Sequence, residues 1–391
     1  MTQSRAIVSF DPLRPAQAAP LDAPVQDALQ RLVDEQSPTV AEALGLAAII
    51  GGTGIRPGVG RTGELWQLLA TIAAHDLGTA RAVEPHLDAL AILAEAGQPL
   101  PAGTWGVFAA EAGPAVPPLR ATPATGAGDS PTHLLAGDDG SSTHLLTGGD
   151  SPTHLLAGDD HSPTHLLIGE KPWCSLADRL DAALVSATLA DGVSRQLFAV
   201  DLRQPGVEVL GSRWHARGLA EIPSGPVRFV DVSARAVGEP GWYLSRPGFS
   251  WGGIGVAACW FGGAVGVARA LFDAGVTRRT DPILLMHLGA VDALLADARR
   301  ALAEAAALVD AGAATGEQGT LLAQRVRATV ARASEAVHTH VAHALGPAPL
   351  ARDAAHAKRV ADLELYLRQH HAEKDEAALG ADLVASEVAP W

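Results

Sequence analysis

The chain has 391 residues, with 29 Lys and Arg against 43 Asp and Glu, and a net charge of −14. That balance repels phosphate backbones and excludes nucleic acid as an expected partner, while the length suffices for two or three packed units. Two cysteines, Cys174 and Cys259, cannot build a disulfide framework and lack zinc-type spacing, which points to a reducing, cytoplasmic setting.

The opening MTQSRAIVSF has one early Arg and no apolar run, so no signal peptide is expected. Over the first hundred residues, apolar positions recur with a helical period in DAPVQDALQRLVDEQ, in TGELWQLLATIAAHDL and in EPHLDALAILAEAG. Thr62 suits a helix cap and Gly97 a stop. From Gln98 to about Gly241 the texture changes to short apolar runs, TWGVFAAE, RQLFAVDL and VRFVDV, between Gly and Pro clusters, which predicts strands.

A repeat interrupts this region: Thr-His-Leu-Leu occurs at 132–135, 143–146, 153–156 and 164–167, with Gly-Asp turns between copies. Four units are too few and too small for a solenoid, so the repeat reads as a tandem expansion of one strand entry, extending a hairpin. Its His133, His144, His154 and His165, with Asp138, Asp139, Asp159 and Asp160, recur too far apart to share one ion, and no metal is expected.

The stretch Gly248 to Ala268 has no charged residue over about a bilayer's span. Six glycines between Gly252 and Gly266 weaken it as a membrane helix, and a buried core helix is expected instead, with no membrane span. From Pro282 a stripe runs through Leu284, Leu288, Val291, Leu295, Ala298, Leu302, Ala305 and Val309 to a stop at Gly312. A second runs from Leu322 to Ala344 and stops at Gly346-Pro347, and a third is predicted as one helix from about Asp353 to Gly380. The fold class expected is α+β: an N-terminal helical domain (1–100), a middle small β-barrel domain (101–240) with the THLL insertion at about 126–165, and a C-terminal four-helix bundle (241–391).

Several ordered pieces resemble the acyl-CoA dehydrogenase family. Gly51-Gly-Thr-Gly54 before the helix at Glu64 is similar to that family's first glycine turn. Thr104 to Gly113 resembles its strand ending in Thr-Glu-Pro-Gly, and Gly169-Glu-Lys171-Pro-Trp173-Cys174-Ser175 resembles its Gly-x-Lys-x-Trp-Ile-Thr strand. Arg217-Gly218-Leu219 followed by Pro226 to Val232 is similar to the pair that closes the small barrel. The resemblance implies a flavin, FAD, against Val107, Ala109, Ala110, Trp173 and Ser175: an isoalloxazine ring needs a flat apolar wall and a hydroxyl near its reactive nitrogen. It also implies an acyl-CoA or other small acyl substrate, an electron-transfer partner or reductase, and a homodimer or homotetramer.

The sequence departs from the family where the reaction is decided. Ala110 stands where a threonine hydroxyl would meet the flavin, and Pro114-Ala115-Val116-Pro117 replaces the Gly-Ser-Asp that meets CoA. Arg278, Arg279, His287 and Gly289 give no clean match to the pyrophosphate contacts. His370 falls where the glutamate base is expected, and the family's alternative base position falls near Val256, with no carboxylate in that turn. A His can take the α proton of an acyl thioester near neutral pH, so His370 and Arg368 are the expected catalytic pair for α,β-dehydrogenation. Arg368, His370, His371 and Asp375 also resemble the pattern in flavin monooxygenases of this fold, the alternative activity; a non-catalytic structural relative is the third. Cys174 is expected as packing in place of isoleucine.

Overall fold

Four helices open the chain: α1 (Ala23–Asp34), α2 (Val40–Gly51), α3 (Thr62–His75) and α4 (Leu77–Glu95). The computed structural model describes residues 7–11, 22–34, 38–100, 102–111, 113, 117–124, 164–211, 214–389 and 391. Thr62 does not cap α3 as predicted; Arg61 is the N-cap residue, and the orphan donors are met from across the fold. Asp310 accepts from Thr62 N at 3.0 Å, from Gly60 N at 3.0 Å and from Thr62 Oγ1 at 2.6 Å. Asp76 ends α3 and caps α4, accepting from Thr79 N at 2.7 Å.

The α4 helix begins seven residues before the periodic stretch that starts at Glu84, because it runs through Pro85 instead of starting there. Proline at that point removes the intrahelical bond to the Arg81 carbonyl. The helix persists because its flanks are packed: Val83, Leu87, Ala89, Ile92 and Leu93 are all buried.

Seven strands follow: β1 (Trp105–Phe108), β2 (Arg120–Pro123), β3 (Thr164–Ser175), β4 (Ala182–Thr188), β5 (Arg195–Asp201), β6 (Val207–Val209) and β7 (Ser224–Val237). Pairing runs from β4 through β2, β3, β7 and β5 and back to β4, closing a small barrel; β1 lies parallel on β4, and β6 antiparallel on β7. Strands β2 and β3 are antiparallel, with Pro123 opposite His165. The fourth THLL copy opens β3; the first three copies and their Asp residues lie outside the described residues, as do Pro114 to Val116.

After α5 (Trp242–Ser245) come the long helices α6 (Pro247–Thr277), α7 (Pro282–Asp310) and α8 (Gly316–Leu345), then α9 (Pro347–Arg352) and α10 (Ala354–Tyr366). The stops at Gly312 and Gly346 hold, each with positive φ. Helix α6 is the one described helix long and apolar enough to cross a membrane, and 78% of its apolar window is buried inside the fold. Its glycines permit that burial. A Cβ at Gly262 would stand 2.1 Å from the Ala70 carbonyl of α3, and one at Gly266 would stand 2.7 Å from that of Ala74.

The third predicted stripe is not one helix. It breaks after α10 into a 3-10 turn (Leu367–Gln369) and resumes as α11 (Glu373–Ala385). No Gly or Pro marks the break; Ala372 carries it at φ 48°. The signal present is electrostatic, because Glu373, Asp375 and Glu376 crowd the first turn of α11, where a helix N-terminus favours carboxylates.

Candidate active site

The barrel meets the helices at two docking points. Lys358 on α10 holds Asp76 at 2.8 Å, Glu221 at 2.7 Å and Asp362 at 2.6 Å, tying the α3–α4 junction, the approach to β7 and α10 to one ammonium. Asp362 also accepts from Leu219 N at 2.6 Å, and Gly218 passes so close to Ala361 that a Cβ would lie 2.1 Å from its carbonyl. Burial pushes Asp76 up, but the Lys358 ammonium outweighs it and holds the carboxyl below its usual range. On the other side of α4, His86 accepts from Trp105 N at 3.1 Å, and burial lowers this imidazole to about 4, keeping it neutral.

Between these points lie two cavities. The first, about 630 Å³, is walled by Trp173, Val107, Ala110 and Ser175 from the barrel and by Arg81 and Arg368 from the helices. Trp173 sits in a bulge of β3 between Lys171 and Cys174, at φ 58°, and is 58% exposed. A large aromatic held in a left-handed conformation with its face uncovered is strained and unburied at once. Ser175 Oγ lies 2.7 Å from Ser224 Oγ and accepts from Arg81 Nη2 at 3.2 Å, so its orientation is fixed.

Lys171 stiffens this wall from behind. It is 1% exposed and donates to Glu111 at 2.8 Å and to Ser186 at 2.8 Å, while Ser186 donates to Glu111 at 2.9 Å. Burial pushes the ammonium down, and the Glu111 carboxylate opposes that shift. Ala109, expected against the flavin, does not line this cavity: its carbonyl faces Ser186 Oγ at 3.5 Å, because successive residues leaving β1 turn to opposite sides. Cys174 is buried against the Lys171 carbonyl at 3.3 Å and burial pushes its thiol up to about 12, which suits packing.

The second cavity, about 500 Å³, lies between α4, α6, α8 and the α10–α11 break. Glu84, Asp88, Arg246, Arg327, Gln324 and His370 line it. The two cavities share His371 as a wall. The two residues expected to act together are therefore separated: Arg368 faces the Trp173 cavity and pairs with Glu335, whereas His370 faces the second. Their neighbours in sequence diverge because the break at 367–372 is not helical and turns consecutive side chains to different sides.

His370 is 8% exposed, edge-on to Trp260 at 6.2 Å between centroids, and its Nε2 has no hydrogen-bond partner. The nearest carboxylate oxygen, of Asp375, is 3.9 Å away. Burial pushes the imidazole down more strongly than Asp375 raises it, so at neutral pH it is an uncharged group able to take a proton. Val256, where the sequence shows no carboxylate, lines the same cavity, and the carboxylates come from α4 across it. Glu84 is 9% exposed; burial and then Asp88 push it up to about 7. Room for Asp88 comes from α6, where a Cβ at Gly252 would lie 3.0 Å from Asp88 Oδ1.

Glu84, Asp88, Arg81 and Arg327 have no counterpart among the residues singled out from sequence. Their available signal was a Glu beside a Pro in a helix, with a second acid four residues on and so on the same face.

No family model and no curated protein matches the chain. Solved structures do. The dibenzothiophene monooxygenase TdsC from Paenibacillus sp. A11-2, with FMN and indole, superposes with a TM-score of 0.68 at 16% identity over 94% of this chain and 98% of its own. KijD3, in complex with FMN and dTDP-3-amino-2,3,6-trideoxy-4-keto-3-methyl-D-glucose, gives 0.71 at 16% identity over 99% and 97%. Butyryl-CoA dehydrogenase from Megasphaera elsdenii gives 0.70 at 15% identity over 94% and 100%. The chain thus has the fold of the acyl-CoA dehydrogenases and of the flavin monooxygenases built on it, at a sequence distance that leaves the reaction to its own residues.

Proposed function

We propose that this protein is a flavin-dependent oxidoreductase acting on a small polar substrate, with the flavin ring against Trp173 and the substrate in the cavity of Glu84 and His370. The observation that carries the reading is the pair of cavities meeting at His371, one walled by an uncovered indole and the other containing an unpartnered imidazole. The chemistry a bound flavin supplies there is two-electron transfer, from a substrate or to oxygen. Trp173 offers the flat apolar face, and Ser175, oriented by Arg81 and Ser224, offers a hydroxyl at its edge. Arg81 and Arg368 outnumber Glu111 among the charged side chains lining the cavity, which supports an anionic cofactor. FAD is the form implied by the dehydrogenase resemblance, whereas TdsC and KijD3 hold FMN.

His370 takes a proton from the substrate at Nε2, its burial keeping it uncharged beforehand. An acyl-thioester dehydrogenase also needs such a base, but an alkyl chain in this cavity would strip water from Glu84 and Asp88 and give nothing back. The lining therefore favours monooxygenation of a polar compound, with a separate reductase as electron donor. Exposed Ile283, Leu285 and Met286 at the start of α7 support self-association of the chain.

The reaction is tested by supplying the protein with reduced flavin through a reductase and following oxygen uptake with a panel of small polar compounds. A member of the panel should raise coupled oxygen uptake, and His370→Ala should lower that turnover by roughly 100-fold or more. Anaerobic mixing with acyl-CoA thioesters should leave the oxidised flavin spectrum unchanged. Bleaching by an acyl-CoA would contradict the polar-substrate reading.

A further inference from the structure

The second cavity has an excess of acceptors. Glu84 receives no hydrogen bond from a described residue, and its nearest cation, Arg81, is 4.0 Å away. Gln324 donates its amide to Asp382 at 2.8 Å, which fixes the amide orientation and leaves Oε1 buried without a partner. His370 Nε2, nine-tenths buried, is the third, an acceptor whenever Nδ1 carries the ring proton. Buried acceptors left open cost about 1–3 kcal/mol each, so Gln324 Oε1 and His370 Nε2 favour a donor in the cavity.

The two guanidiniums lining the cavity are engaged elsewhere, apart from Arg246 Nε, which is buried without a partner. Arg246 has a side chain 1% exposed and pairs with Glu95 at 2.7 Å and with Asp88 at 3.7 Å. Arg327 donates to the Gly253 carbonyl at 2.9 Å and to that of Gln369 at 3.0 Å, with its guanidinium 4.8 Å from the Trp260 ring centroid. Asp375 is engaged by His371 at 3.1 Å. The acids least compensated are Glu84, with Arg81 no nearer than 4.0 Å, and Asp88, with Arg246 at 3.7 Å.

A metal ion does not fit the same set. Among the described residues, the acids or histidines whose ligand atoms gather within 4.8 Å are Asp76, Glu221 and Asp362, and Lys358 already fills their centre. Glu84, Asp88 and His370 form no such group. They are spread as a molecule would need them, around a volume within the roughly 300–1,000 Å³ of small-ligand sites.

We propose that this cavity is a subsite for a protonated amine, which donates to Glu84, with Asp88 supplying further negative charge and Gln324 Oε1 and His370 Nε2 as neutral acceptors. An ammonium carries three donors and no acceptor, the complement of what the walls leave open. Phe249, Tyr243 and Val256 take the apolar remainder of such a ligand. Burial and the neighbouring Asp88 push Glu84 up to about 7, so it both holds the cation and can accept its proton: R–NH3⁺ and the carboxylate become R–NH2 and the carboxylic acid, with no other bond changed. The inference rests on the oxidoreductase reading for its purpose, since it names the substrate class of that site.

The test is calorimetric titration of the full chain, with and without bound flavin, using benzylamine, benzyl alcohol and benzoate as probes. Benzylamine should bind about tenfold or more tighter than benzyl alcohol, and benzoate weakest of the three. Glu84→Gln, which keeps the side-chain shape, should remove most of the amine preference while leaving benzyl alcohol within about twofold; Asp88→Asn should weaken it less. Equal affinities, a preference for benzoate, or an undiminished amine preference in Glu84→Gln would overturn the assignment. Flavin absorbance read on the same samples separates the two ideas: flavin bound without amine selectivity removes the subsite alone, and amine selectivity without flavin binding supports the subsite while removing the oxidoreductase reading.

Discussion

Glu84 concentrates the tension of this protein in one side chain. Its ordinary carboxyl value of 4.5 is pushed up to about 7 by burial first and Asp88 second, with Arg81 and Arg327 opposing. The folded state then binds more protons than the unfolded one between those values, so stability falls as pH rises from 4.5 through 7. Glu84→Gln removes the titration. At pH 8 the variant should be more stable than the parent by on the order of 1–3 kcal/mol, and at pH 5 nearly equal to it, as read by thermal melting. The same difference at both values would show that Glu84 is not held against its charge. Trp173 was legible in the sequence because the Gly-x-Lys-x-Trp spacing carries it; Glu84 and Asp88 were not, because burial of an acid is decided by what faces it, as Gly252 on a helix far away in sequence faces Asp88.

Among the elements, α6 shows how composition can mislead and then explain itself. Its charge-free run has the length of a membrane helix, yet the glycines are the contact surface for α3. Gly262→Ala gains helix propensity, by at most about 1 kcal/mol, and places a methyl 2.1 Å from the Ala70 carbonyl, so it should destabilise by about 1–3 kcal/mol or more. Gly289→Ala on α7, where nothing lies within 4 Å, should stabilise slightly, and denaturant melts of the pair would read both signs. A neutral Gly262→Ala would contradict the close packing. Helix stops written in Gly and Pro, at Gly312 and Gly346-Pro347, were read correctly from sequence. The break at 367–372 was missed because its letters, Leu-Arg-Gln-His-His-Ala, are ordinary helix residues and the only signal lies beyond it, in the acidic first turn of α11. That miss matters most, since the break is what turns Arg368 and His370 to different cavities.

At the scale of the molecule, the barrel, α4 and the α10–α11 break are locked together by Lys358 and its three carboxylates on one side and by His86 on the other. Both cavities lie within that frame, which is why positions almost three hundred residues apart share a wall. The order of helices, strands and helices was legible because hydrophobic period and turn residues are local signals. The small barrel was legible through the family resemblance; its register, in which β5 pairs with both β4 and β7, and the two-cavity arrangement were not, because they arise from contacts that meet across the fold. The central claim is that the Trp173 cavity holds a flavin, and titrating FMN and FAD into the protein while recording the flavin absorption band tests it most directly. Saturable binding with a perturbed band for at least one of them, weakened about tenfold or more in Trp173→Ala, is the predicted result. An unperturbed spectrum with both flavins, or equal affinity in Trp173→Ala, would contradict it.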